Sequence, residues 1–164
     1  MSSTYDPWVS RILSARQRNG VTNNRLYPTI GQLVTHMRTS TADDLTPAVR
    51  LCDLLSSGGY SLSIEDLEVV IKYIGAYVEG GFRKNLREAL SLLDIPLAFY
   101  YLNQLMDVLN KIGPLLEKAP VAAAHIHRGL LDQVAVIKYK LGVINNAWKN
   151  REIDTYLRCL GELL

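Results

Sequence analysis

Apolar residues recur at helical spacing along nearly the whole chain. Trp8, Val9, Ile12 and Leu13 form one face behind Asp6-Pro7, an N-cap followed by Pro at the first helical position, and Asn19-Gly20 ends that helix. Thr29-x-x-Gln32 is a capping box, and Ile30, Leu33, Val34 and Met37 behind it follow i, i+3, i+4, i+7. Thr46-Pro47 opens a third helix with Leu51, Leu54 and Leu55, stopped by Gly58-Gly59. Ser63-x-x-Asp66 opens a fourth, with Ile64, Leu67, Ile71, Ile74 and Val78 as its stripe and Gly80-Gly81 as its break. A fifth carries Phe82, Leu86, Ala89, Leu90 and Leu93.

The sixth predicted helix runs from about Pro96 to Ile112. Apolar residues nearly encircle it, so it is expected at the centre of the fold. Gly113-Pro114 stops it, and a short turn over Leu115–Lys118 leads to Pro120. A seventh helix covers Val121–Trp148, and Asn150 is expected to cap an eighth with Ile153, Tyr156, Leu157, Leu160 and Leu163. No alternating strand pattern of useful length and no internal repeat interrupts this reading. The expectation is an all-α, compact bundle of seven to nine helices. It forms a single all-helical domain over 1–164, with 113–120 as the candidate hinge if two helical lobes exist.

Composition agrees with a packed domain. Among 164 residues, 48% are apolar and 21% charged, with 11 Gly, 6 Pro and 2 Cys. Disordered, collagen-like and disulfide-dense classes are excluded on those values. Uncharged stretches stop at about twelve residues, as in Ile95–Met106, where a spanning helix needs about 20. No transmembrane segment is therefore expected. The N-terminus lacks the basic and apolar regions of a signal peptide and has Ser2 where myristoylation needs Gly. With Cys52 and Cys159 in helical segments, the expectation is an intracellular protein, cytoplasmic or nuclear, in a reducing compartment. The chain ends within a helix, so either that helix closes the fold or a longer protein continues past it.

Charge adds an asymmetry that the net +2 conceals. Residues 1–40 carry +4, 41–95 carry −4 and 96–164 carry +2, and no Lys precedes Lys72. Arginine's planar fork suits phosphate and carboxylate. Arg11 and Arg18 lie one heptad apart on the first helix. Arg83, Lys84 and Arg87 fall in the first turns of the fifth, where the helix dipole disfavours cations. These five residues are the candidate anion- or nucleic-acid-binding set. An ordinary solvated face, with Glu79 and Glu88 as pairing partners, accounts for the same charges.

The seventh helix offers the second surface. Leu130, Val134, Ile137, Leu141, Ile144 and Trp148 follow the 4-3 spacing of a helix-packing seam. Val136, Tyr139 and Val143 form another stripe, roughly 200° away. Such a helix is either sandwiched or offers one face to a partner, and Lys138 and Lys140 beside the stripe favour the partner. Val136, Tyr139 and Val143 are the candidate self-association residues.

Catalytic signatures do not emerge. P-loop and dinucleotide fingerprints are missing. His125 and His127 sit at i, i+2, about 200° apart on a helix, which is wrong for one metal. Asp43-Asp44 and Glu65-Asp66 sit at helix starts, where capping explains them. No cofactor, metal site or enzyme activity is expected. The leading expectation is a non-enzymatic assembly protein, homo-oligomeric, with a basic surface for an anionic partner such as RNA or a membrane. Viral matrix and nucleocapsid domains share that profile by physical analogy alone. The alternatives are an RNA- or anionic-membrane-binding regulatory protein and a ligand-binding helical bundle.

Overall fold

The structure is a computed structural model that describes residues 29–58 and 60–163. The first predicted helix, with Arg11 and Arg18, lies outside the described residues. In chain order the helices are α1 (Ile30–Thr39), α2 (Thr46–Ser56), α3 (Ile64–Glu79), α4 (Gly81–Ser91) and α5 (Ile95–Ile112). A 3₁₀ turn (Gly113–Lys118) leads into α6 (Val121–Lys149) and α7 (Ile153–Leu163). No strand occurs among the described residues, so the all-α class holds.

Local chemistry explains most of the boundaries. Thr29 accepts from the Gln32 amide, and the Gln32 side chain accepts from the Thr29 amide, which satisfies donors that the first turn of α1 leaves open. Ser63 caps α3 through the Asp66 amide at 3.1 Å. Asp94 caps α5 through the Leu97 amide at 3.0 Å, with Pro96 in the first turn. α4 ends in a Schellman motif: the Asp94 amide donates to the Ala89 carbonyl and the Leu93 amide to the Leu90 carbonyl, with Leu93 at φ 58°. α6 ends in the same way, with Glu152 bonded to Ala147, Arg151 to Trp148, and Arg151 at φ 58°. Neither turn has the glycine that usually marks it, so the sequence does not announce them. Asn150 is accordingly the C-cap of α6, which corrects its expected role as the N-cap of the last helix.

α5 is the central helix. Ile95, Leu97, Ala98, Tyr101, Leu102, Leu105, Val108, Leu109 and Ile112 are all buried, and α5 packs against α2, α4 and α6. α3 completes the core against α1, α4 and α6. The side chain of Leu116 in the 3₁₀ turn is also buried in this single apolar cluster.

The seam of α6 holds from Leu130 through Ile144, but Trp148 is 46% exposed and Ala147 takes the buried place. A straight helix turns every 3.6 residues, so a 3.5-residue seam drifts off its partner over four turns. Trp148 instead lies against Tyr156 of α7, with ring centroids 5.3 Å apart. Cys52 and Cys159 are both buried and unbridged.

Candidate anion-binding and partner surface

α4 owes its orientation to its apolar face. Phe82, Leu86, Ala89 and Leu90 are buried, which turns Arg83, Lys84 and Arg87 to solvent. The ion pairs among the described residues are Arg38 with Asp66 at 3.5 Å and Lys111 with Asp107 at 3.0 Å. Glu79 and Glu88 therefore do not neutralise the α4 cations. No side chain caps the start of α4.

The tertiary structure adds an acidic neighbour there. Gly81 lies against the backbone of Asp43, in the loop between α1 and α2; a Cβ at Gly81 would stand 2.5 Å from the Asp43 carbonyl oxygen. The loop thus sets a backbone carbonyl oxygen at the positive end of the helix, where the dipole favours it. The Asp43 carboxylate accepts from the Thr41 hydroxyl at 2.9 Å.

The same loop is held from α3. The Tyr73 hydroxyl donates to the Asp44 carbonyl at 2.7 Å. Burial, with the nearby carboxylates of Asp44 and Asp43, pushes that hydroxyl up to about 12 from its ordinary 10. Burial likewise pushes the Cys52 thiol up to about 11 from 9. In both cases the unfolded chain gives up its proton first as pH rises. Their contribution is therefore complete below the unfolded values, and it is lost as pH climbs through the folded ones. Thermal melts are expected to hold to about pH 9 and fall between about 9 and 12. Tyr73→Phe should remove the upper part of that fall. At neutral pH it should cost about 1–2 kcal/mol by leaving the Asp44 carbonyl unpaired. A melting temperature flat across this range would contradict the account.

On α6, Val136 is 53% exposed and Tyr139 is 74% exposed, whereas Val143 is half-buried against the core. Lys138 is exposed and Lys140 half-buried. The outer stripe is thus split: two residues face solvent and the third supports the core.

The cationic side of α4 also meets α6 and α7. Arg83, Leu86 and Arg87 of α4 line a shallow depression of about 20 Å³ together with Ile137 of α6 and Leu163 of α7. Lys140 follows Ile137 by one turn on the same flank of α6. The cations of α4 thus reach the α6 seam at Ile137, whereas Val136 and Tyr139 face solvent about 100° and 160° around the same helix. Periodicity within either helix could not reveal this, because the residues are some fifty positions apart in sequence.

His125 is exposed. His127 lies 2.8 Å from the Leu109 carbonyl through Nε2, which must donate because a carbonyl only accepts. Among the described residues no group of three or more His, Cys, Asp or Glu could hold a metal ion. No described helix is long and apolar enough to cross a membrane. Compared with protein-family models, with curated proteins and with solved structures, the chain finds no match.

Proposed function

We propose that this chain is a non-enzymatic helical assembly protein that self-associates through α6 and offers the α4 cations to a phosphate-bearing partner. The observation that carries this reading is the exposure of Val136 and Tyr139 on α6. Arg83 and Arg87, which reach the same helix at Ile137, have no ion-pair partner among the described residues. Tyr is favoured in protein interfaces because its ring is apolar and its hydroxyl remains hydrated. Arginine suits the same setting, since its fork binds phosphate while its stem covers apolar surface. An apolar and a cationic surface on one chain would let one copy contact another while both face the same anionic scaffold. The two buried free thiols support a reducing compartment inside the cell as its working place.

Light scattering over a concentration series tests the self-association. Tyr139→Glu places a charge on a residue that is 74% exposed, so the melting temperature should stay within about 2 °C of the parent. The particle should become smaller, because the same charge buried in an interface has no partner. A parent chain that is monomeric at all concentrations would refute the assembly reading. So would a Tyr139→Glu variant whose particle is unchanged in size.

A further inference from the structure

A cleft of about 260 Å³ opens where α1, α2 and α3 converge on the loop that joins the first two. It is slightly smaller than the ~300–1,000 Å³ of ordinary small-molecule sites, so its occupant is small. Its walls combine opposite charges. Arg50 of α2 lines one part, Asp43 and Asp44 of the loop another, and Leu33, Pro47 and the Tyr73 ring supply apolar surface.

Two features distinguish this cleft from a solvated crevice. The first is Arg50. Its Nε is buried and has no hydrogen-bond partner, and Arg50 forms no ion pair among the described residues. Arg50 lines the cleft with no carboxylate among the described residues paired to it, so an incoming carboxylate can accept a charge-assisted bond from its guanidinium. The second is the rigidity of the acidic wall. Tyr73 bonds the Asp44 carbonyl, and Gly81 lies against the Asp43 backbone. Thr46 donates to Asp44 Oδ1 through both its amide, at 3.0 Å, and its hydroxyl, at 2.8 Å. Asp43 Oδ2 and Asp44 Oδ1 are thereby engaged. The second oxygen of each carboxylate has no hydrogen-bond partner among the described residues.

We infer that this cleft binds a small zwitterion, with the ligand's carboxylate on Arg50 and its ammonium on the Asp43–Asp44 wall. A bare anion would meet two carboxylates, and a bare cation would meet the Arg50 guanidinium. One molecule carrying both charges answers both, and an α-amino acid with an apolar side chain is the simplest that also uses Leu33 and Pro47. The site shares no residue with the α4–α6 border, so its success or failure is separate from the assembly reading.

The test is amide and arginine Nε–H NMR on the full chain, titrated with L-leucine, N-acetyl-L-leucine and L-leucinamide. The two capped compounds lack the cation and the anion respectively. L-leucine should shift the signals of residues 40–46 and the Arg50 Nε–H, and each capped compound should bind at least roughly tenfold more weakly. Arg50→Gln should weaken L-leucine by a similar factor. So should the double change Asp43→Asn with Asp44→Asn, which keeps an oxygen to accept from Thr41 and Thr46. If Arg50→Gln does not fold, the three probes on the parent chain still decide. No L-leucine shift at about 10 mM overturns the proposal. N-acetyl-L-leucine binding as well as L-leucine also overturns it, since the cleft is then an anion site without a cation requirement.

Discussion

Replacing Gly81 by alanine should lower stability by about 2–3 kcal/mol, which for a chain of this length is a fall of about 4–12 °C in melting temperature. The new Cβ would lie 2.5 Å from the Asp43 carbonyl oxygen, 2.8 Å from its carbon and 2.9 Å from its Cα. All three are backbone atoms, so no rotamer change relieves the overlap. The loop cannot simply withdraw, because Tyr73 holds Asp44 from α3. Relief requires α4 and the loop to move apart, which opens packing around Phe82, a side chain with no exposed surface. Gly81 is therefore needed for space, whereas Gly58, at φ 82°, is needed for its backbone conformation. Gly142→Ala is the matched control. It lies within α6, and no atom comes within 4 Å of the place its methyl group would take, so alanine there should gain about 0.5–1 kcal/mol. Thermal melts of the two variants should move in opposite directions. An unchanged melt for Gly81→Ala would mean the loop is not seated on α4.

Changing Arg83, Lys84 and Arg87 together to alanine should reduce binding to RNA or phosphatidylserine vesicles on the order of 10–100-fold at low salt. The effect follows from counterion release. Each lost phosphate contact removes about 0.7 from the slope of log affinity against log salt for single strands, so three should remove about 2. The fold should be unaffected or slightly more stable. The three side chains are exposed and make no ion pair that the change would break. Like charges also leave the positive end of α4. The measurement is affinity at several salt concentrations, with RNA and vesicles as separate arms, alongside a melt. Binding that persists with its full salt slope would remove α4 from the contact surface. Arg11 and Arg18 would then be the next residues to change.

Most elements of this fold can be read from local patterns. α1, α3 and α5 each begin at a side chain that bonds an open amide of the first turn, and such caps act over three residues. The apolar stripes of α3, α4 and α5 are legible for the same reason, except at Ile64 and Leu93, which the helix ends leave exposed: a helix turns by a fixed angle per residue, so the buried face is written at fixed spacing. The outward direction of Arg83, Lys84 and Arg87 follows from the inward one of Phe82 and Leu86. Where information is not local, the sequence is silent. The Schellman turns at Leu93 and Arg151 lack glycine, so no residue in them announces the positive φ. Periodicity finds a second stripe on α6 but cannot say whether another helix covers it. Only the packing of the whole bundle leaves Val136 and Tyr139 exposed and draws Val143 toward the core. The meeting of Arg83 and Arg87 with Ile137, the seat of Asp43 on Gly81 and the cleft around Arg50 all join residues from different helices. Their proximity depends on how the helices cross, and crossing is determined by the fit of many side chains at once rather than by spacing along any one segment.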